Sequence, residues 1–144
     1  MKRNALVLAA LSPANMGDFS PVQVQKLFFL IDQNCAKDVG GPHFSFEPYD
    51  YGPFDRDVYG VLEELSLAGM VEVYNIPGRR WKGYKLTENG QRESERLLSE
   101  LPGKARTYIT ELVRFVRGVS FEELVSAIYK AYPEMKVNSV FKDA

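Results

Sequence analysis

The sequence contains one cysteine and one histidine, Cys35 and His43. A single cysteine cannot form an internal disulfide, which is typical of a protein in a reducing compartment, so we expect a cytoplasmic location. A structural zinc site usually needs about four cysteine or histidine ligands, and the sequence cannot supply them. Since it also lacks a phosphate-binding glycine loop, we expect no metal and no cofactor.

Long hydrophobic stretches are missing too, because no apolar run approaches the roughly 20 residues that a membrane helix requires. There is no strong charge of either sign: 18 basic residues stand against 19 acidic ones, and the net charge is −1. A nearly neutral chain has no overall field that attracts nucleic acid or anionic lipid. We therefore expect no membrane association, and any contact with nucleic acid must come from a local basic surface.

The N-terminus is the one segment that imitates a targeting signal. A basic start precedes the apolar run 5–11, as in a secretory leader. The run has only the minimum length for a leader, and Ser12-Pro13-Ala14 after it is a poor cleavage site. We expect an ordinary first helix over about residues 2–11, which the Ser12-Pro13 step ends.

Capping residues and apolar periodicity predict the later helices. Ser20, Pro21 and Gln23 form a capping box that opens a central, largely buried helix. The last two helices are each striped with apolar residues, and a short turn at Gly118-Val119 joins them. We expect these two to pack as an antiparallel pair. Their stripes together exceed what one small domain can cover, so a homodimer through this layer is expected.

The middle of the chain predicts β-structure around one helix. Residues 71–74 and 83–86 alternate as the two strands of a hairpin, with Pro77-Gly78 at the turn. Residues 44–46 alternate like a short strand, and helical spacing of apolar residues begins at Pro53.

The order helix, helix, short strand, helix and hairpin is that of a winged-helix domain. We predict an α+β, mostly helical fold with a winged-helix-like core, made of three helices plus a β-hairpin wing. A C-terminal helical layer is appended to it. The chain 1–144 forms a single domain, with the core in residues 1–86 and the C-terminal helical extension in residues 87–144. The helix from Pro53 takes the recognition position, and the loop 76–83 is the wing.

Three motifs follow one another along residues 19–90: a Gln-Lys-Leu helix, a Tyr-Gly-Pro turn, and a helix that ends in Leu-x-x-x-Gly before a hairpin. Together they resemble the Panacea-type antitoxin family and related small uncharacterised prokaryotic proteins that are winged-helix-like. The resemblance implies a non-enzymatic, antitoxin-like regulator that binds another protein, which in the antitoxins is a toxin. We expect the signature residues to be chiefly structural; they are Gln25, Lys26, Leu27, Tyr49, Tyr51, Gly52 and Pro53.

The predicted wing is the candidate binding surface for a protein or a nucleic acid. Its basic and aromatic residues are Arg79, Arg80, Trp81, Lys82 and Lys85. Such a surface can grip phosphates without reading bases, so the alternative function is a DNA-binding winged-helix transcriptional regulator. The helix in the recognition position argues for a protein partner instead, because its exposed acids repel a phosphate backbone. These acids are Asp55, Asp57, Glu63 and Glu64.

No residue pattern indicates an enzyme. An acidic cluster near His43 could bind a hard cation only if the fold converged its carboxylates, and we interpret it as an acidic helix start. Its members are Glu47, Asp50, Asp55 and Asp57. Cys35 is expected to be a small core residue. Lys26 lies in an almost entirely apolar helix; we expect its stem to pack while its amine reaches water, with a carboxylate of the acidic segment as the alternative partner.

Overall fold

The computed structural model describes residues 1–141 and has an α+β, mostly helical fold with two small antiparallel hairpins. The α-helices are α1 (Arg3–Leu11), α2 (Pro21–Asn34), α3 (Ala36–Val39), α4 (Arg56–Leu67), α5 (Glu88–Glu100), α6 (Gly103–Gly118) and α7 (Phe121–Ala131). The strands are β1 (Glu47–Tyr49), β2 (Gly52–Phe54), β3 (Val71–Asn75) and β4 (Lys82–Leu86). Short 3-10 turns cover Ser12–Ala14 and Pro133–Lys136. None of the helices in the described part is both long and apolar enough to cross a membrane.

Helix α2 is the centre of the fold, as its sequence predicts. The Ser20 hydroxyl accepts the Gln23 backbone N–H at 3.2 Å, and the Gln23 side chain accepts the Ser20 N–H at 2.8 Å, so the capping box is confirmed. Every residue from Val24 to Ile31 is buried, because α2 has neighbours on several sides. Leu27 is fully buried in the core, and Cys35 ends the helix in a buried position.

The N-terminal apolar run is part of this core rather than a separate segment. Residues Leu6 to Leu11 of α1 are all buried. They pack chiefly against α5, and also against α4 and α6. The expected first helix is therefore confirmed, and it joins the two parts of the chain that we divided at residue 86.

The prediction of a single hairpin is wrong. The wing hairpin β3–β4 forms, with Val71 opposite Leu86 and Asn75 opposite Lys82. A second hairpin, β1–β2, takes the place of the expected strand at residues 44–46, and the expected turn around Tyr51 forms as the loop of this hairpin. Its two strands are joined by the two-residue loop Asp50-Tyr51.

One local contact explains why no strand forms at residues 44–46, and two prolines explain why the sequence does not reveal the hairpin that follows. The Asp32 carboxylate accepts the backbone N–H groups of His43 and Phe44 at 3.0 and 2.9 Å, so these donors are not free for a strand. Within the hairpin, Pro48 lies opposite Pro53, and neither residue has a backbone N–H. Proline is rare inside strands, and this conceals the hairpin from a reading of the sequence.

Helix α4 begins at Arg56 and not at Pro53, because residues 53 and 54 belong to β2. Asp55 is its N-cap, and its carboxylate accepts the Asp57 backbone N–H at 2.8 Å. Phe28 and Ile31 of α2 are buried together with the inward face of α4. That face consists of Val58, Val61, Leu62 and Leu65.

The last two helices do not form the expected antiparallel pair. Helix α6 packs mainly on α2, on the turn Ser12–Ala14 and on α1, whereas α7 packs on β2 and on Pro133–Lys136. Most of the apolar side chains in the two stripes are buried inside this one chain, so the argument that the stripes need a second copy to cover them does not hold. The stripes found their partners in α2 and the β1–β2 hairpin, which sequence periodicity alone does not identify.

An isolated backbone bridge links the start of the chain to the wing. Phe19, between α1 and α2, exchanges hydrogen bonds with Tyr84 of β4 at 2.8 and 3.0 Å. Both side chains are buried. The third strand-like segment of the core therefore lies before α2, not after it as the sequence suggested.

Candidate functional site: the hairpin pocket and the wing

The β1–β2 hairpin folds over α2 and forms with it a half-open cavity of about 250 Å³, the hairpin pocket. Six of its lining residues are Gln25, Lys26, Tyr49, Tyr51, Gly52 and Tyr59; Pro21, Val22, Asp50 and Phe54 complete the lining. Five of the six belong to the Gln-Lys-Leu and Tyr-Gly-Pro motifs, so the fold brings two separate stretches of the sequence to one place. Of the remaining signature residues, Leu27 is in the core and Pro53 lies directly above Lys26.

The backbone conformation at residue 52, directly after the hairpin loop, requires a glycine. Its φ is +108°, a value that residues with a Cβ rarely adopt. A Cβ on Gly52 would stand 3.4 Å from the Tyr129 ring and 3.5 Å from the Lys26 Nζ. The missing side chain also leaves room beside the lysine amine.

The expectation that the Lys26 amine extends into bulk water is wrong, because the side chain is buried. The residue is only 3% exposed, and its Nζ donates one hydrogen bond, to the Pro53 carbonyl at 3.3 Å. The alternative carboxylate partner is absent as well: within residues 1–141 no Asp or Glu forms an ion pair with Lys26. Burial lowers the pKa of Lys26 from 10.5 to about 7. The hairpin covers the amine, and neither the hairpin nor this cover is apparent in the sequence.

Two tyrosines of the pocket lining, and a phenylalanine in contact with one of them, remain exposed. Tyr49 is 54% exposed and stacks on Phe54, with ring centroids 5.0 Å apart. Tyr51 is 41% exposed and meets the edge of Phe121, at 5.2 Å. Phe121, the first residue of α7, is 40% exposed. We call Tyr49, Tyr51 and Phe121 the aromatic patch.

The C-terminal segment holds the hairpin loop in position. The Val140 N–H and the Ser139 hydroxyl both donate to the Asp50 carbonyl, at 2.9 and 3.2 Å. Phe141 packs near Phe121, with centroids 6.0 Å apart. The aromatic patch is therefore built from the hairpin and α7 together, with the tail beside it.

The wing is less basic than its sequence indicates. Lys82 lies 3.7 Å from Glu63 of α4, and Lys85 lies 3.3 Å from Glu72, its cross-strand neighbour. These exposed pairs are individually weak, but they reduce the charge that is free for a ligand.

Two arginines and a tryptophan complete the wing. The Arg79 guanidinium covers the Trp81 ring at 5.2 Å, and Trp81 is 45% exposed. Arg80 is exposed, and neither arginine has an acidic partner within residues 1–141. The free positive charge of the wing is thus confined to Arg79 and Arg80.

The acidic side chains of α4 and of its N-cap make contacts within the chain that hold the helix in place. These contacts leave them less available to a ligand. Asp55 caps the helix and also accepts the Ser45 N–H at 2.7 Å. Asp57 pairs with Arg3 at 3.3 Å, and Glu64 accepts the Asn4 amide at 2.7 Å. In the part of the chain that the structure describes, no three His, Cys, Asp or Glu side chains are arranged to hold a metal ion.

Cys35 and His43 both have structural positions in the fold. Cys35 is buried, and burial with two nearby carboxylates raises the pKa of its thiol to about 11, which opposes formation of a nucleophilic thiolate. A ring nitrogen of His43 lies 2.9 Å from the Val39 carbonyl. Neither group faces the hairpin pocket.

No protein-family model matches the chain. No curated protein matches it significantly either.

Sequence reasoning missed two contributors to this site. Nothing in the sequence distinguishes Tyr59 from the other residues of its helix. Its place beside the pocket depends on how α4 crosses α2. Phe121 was assigned to the buried stripe of α7, but it lies at the first helical position and remains exposed. Phe121 shares the i, i+3, i+4 spacing of that stripe, so only its place directly after the N-cap Ser120, at the open end of the helix, was an available signal.

Proposed function

We propose that this chain is a non-enzymatic regulator that binds another protein through the aromatic patch. The observation that carries the proposal is the exposure of Tyr49 and Tyr51 on the β1–β2 hairpin, with the exposed Phe121 of α7 packed against Tyr51. Aromatic side chains are enriched in protein interfaces and supply much of the binding energy there. A cluster of them on a surface that is otherwise mostly polar is a typical docking site.

The resemblance to Panacea-type antitoxins suggests what the partner is. The pocket and the patch contain Tyr49, Tyr51, Gly52 and the Gln-Lys pair, which are the residues that carry the resemblance. A winged-helix-like core is supported by the order α1, the Phe19–Tyr84 bridge, α2, α4 and the β3–β4 hairpin. We propose an antitoxin-like role in the cytoplasm, with a toxin as the protein partner.

A growth assay tests this function. The product of the neighbouring reading frame is expressed alone and together with this chain; arrest in the first case and recovery in the second identify a toxin and its antitoxin. The double variant Tyr49→Ala/Tyr51→Ala should lose the recovery while keeping its thermal midpoint. Leu67→Ala is the matched control, since Leu67 is an exposed apolar side chain that lies outside the patch. Recovery by the double variant equal to that of the wild type would rule out the patch as the interface.

DNA binding through the wing is the second candidate. Arg79 and Arg80 favour it, because they are exposed and have no acidic partner in the described residues. The acidic side chains next to them oppose it: Glu63 of α4 already pairs with Lys82 of the wing. We place the protein partner first because two free arginines provide little affinity for a duplex.

A further inference from the structure

Among residues 1–141, Lys26 is the only charged side chain that is buried, and its amine has a single hydrogen-bond acceptor. An ammonium group has three N–H donors, and within residues 1–141 only the Pro53 carbonyl accepts from it, at the long distance of 3.3 Å. A buried amine without further acceptors or a counter-charge is unfavourable. A methionine would fill the same space without the free-energy cost of burying an amine. Within the described residues, no counter-charge stabilises the lysine.

The amine borders a cavity that can admit a ligand. Lys26 and Gly52 both line the hairpin pocket, and the absent side chain of Gly52 leaves space 3.5 Å from Nζ. At about 250 Å³ the pocket is smaller than the roughly 300–1,000 Å³ of sites for drug-sized molecules. It therefore fits a group the size of one side chain, with Tyr49, Tyr51 and Tyr59 as its aromatic walls.

We infer that the hairpin pocket is a binding site for a single carboxylate, which pairs with the Lys26 ammonium while the adjoining part of the ligand packs on the tyrosines. A carboxylate supplies both the acceptors and the counter-charge that Nζ lacks. A doubly charged phosphate fits less well, because the pocket offers one cation and Asp50 also lies on its lining. An acidic side chain of a protein partner and a free carboxylic acid share this chemistry.

The first experiment uses 4-hydroxyphenylacetate as the probe and 4-hydroxyphenylacetamide as its uncharged control. Calorimetry or NMR titration of the full chain should give at least a tenfold tighter Kd for the acid than for the amide. Lys26→Met should remove this difference, and Lys130→Met, which changes an exposed lysine of α7, should preserve it. Equal affinities of acid and amide for the wild-type chain would overturn the inference.

Proton uptake on binding provides a second readout, which leaves Lys26 itself unchanged. Because burial lowers the pKa of Lys26 to about 7, the free amine is largely neutral above that pH, and carboxylate binding must then draw a proton onto it. Affinity for the acid should fall towards tenfold per pH unit above pH 7, with up to one proton taken up per ligand in calorimetry across two buffers. The other titratable groups around the amine are Tyr49, Asp50, Tyr51, Tyr59 and Tyr129. If Asp50→Asn takes up the same number of protons, Asp50, the one carboxylate among them, is not the group that gains the proton. Binding without proton uptake would overturn the inference.

A peptide arm separates the two sources of the carboxylate. The blocked peptide acetyl-Gly-Glu-Tyr-Gly-amide is compared with its glutamine counterpart. Binding of the glutamate peptide alone supports an acidic side chain of a protein partner, while binding of the small acid but of neither peptide supports the site with a free acid as its ligand. Binding of neither acid nor peptide overturns it. The growth assay with the patch variants is independent of these titrations, so failure of the proposed function and failure of this site are distinguishable.

Discussion

The side chain of Gln25 clamps the backbone of Asp55 with two hydrogen bonds. Its Oε1 accepts the Asp55 N–H at 2.9 Å, and its Nε2 donates to the Asp55 carbonyl at 2.9 Å. Asp55 is the N-cap of α4, so this contact fixes where α4 begins relative to α2. The glutamine of the Gln-Lys-Leu motif thus has a structural role, because it links α2 to a residue 30 positions later in the sequence.

Replacing Gln25 should therefore loosen the junction of the two helices. Gln25→Leu leaves the Asp55 N–H and carbonyl without partners at a largely buried site, and we expect a loss of roughly 1–3 kcal/mol in the free energy of unfolding. Gln33→Leu, an exposed position on the same helix, should change it by less than about 0.5 kcal/mol. Urea denaturation measures both, and equal stabilities would show that the clamp contributes nothing.

The contact of α4 with α2 should depend on Leu62. This side chain is fully buried, and Leu62→Ala should reduce the free energy of unfolding by about 2–5 kcal/mol. Leu67 on the same helix is 91% exposed, so Leu67→Ala should alter stability very little. An unchanged denaturation midpoint in Leu62→Ala would mean that the buried face of α4 is assigned wrongly.

The conformation of Gly52 predicts a cost for any other residue there. Gly52→Ala forces a Cβ onto a φ of +108° and into contact with Tyr129 and Lys26, and we expect about 1–3 kcal/mol of destabilisation. Gly60 offers a contrast, since it lies within α4 with open space around it. Gly60→Ala should stabilise by roughly 0.5–1 kcal/mol. Unchanged stability of Gly52→Ala with lost partner binding would make the Tyr-Gly-Pro motif functional rather than structural.

The low pKa of Lys26 makes stability depend on pH. The unfolded lysine keeps its proton up to about 10.5, whereas the folded one releases it above about 7, so the unfolded state binds more protons and stability rises with pH in between. From pH 7 to pH 9 the gain is about 2 kcal/mol. The window ends near pH 9 because the raised pKa of Cys35 acts in the opposite direction above it.

Lys26→Met should abolish this pH dependence, and it should also stabilise the chain at pH 7 by roughly 1–4 kcal/mol. Lys130→Met should keep the wild-type profile. Denaturation midpoints at pH 7, 8 and 9 are the measurement. A flat profile in the wild type would show that the Lys26 amine is solvated and normally charged.

For the wing, we expect no binding of duplex DNA at about 150 mM salt, because only Arg79 and Arg80 are free to contact phosphates. If two arginines did bind, log Kd would change with log salt by a slope of about 1.8 in magnitude, and each removed arginine would flatten it by about 0.9. Fluorescence anisotropy with a labelled duplex, at low and high salt, measures this. Tight binding that Arg79→Ala/Arg80→Ala abolishes, but the exposed control Lys104→Ala keeps, would favour the DNA-binding function.

The sequence by itself determined the elements whose signals are local. Capping boxes at Ser20 and Ser120 opened α2 and α7, and alternation marked β3 and β4. These signals depend on side chains reaching backbone groups two or three residues away, or on a period of two or 3.6, so they hold whatever surrounds them. The positive φ of Gly52 belongs to the same class, because only glycine adopts it readily.

Only the tertiary structure decided what the helices pack against and what the hairpin covers. Two prolines concealed β1–β2, and the carboxylate of Asp32, 11 residues away from His43, displaced the expected strand. Lys26 could be recognised as a lysine in an apolar helix, but its burial comes from a hairpin that lies 27 residues further along the chain at Pro53. The charge state of an amine depends on the solvent and partners around it, and contacts between distant segments set both.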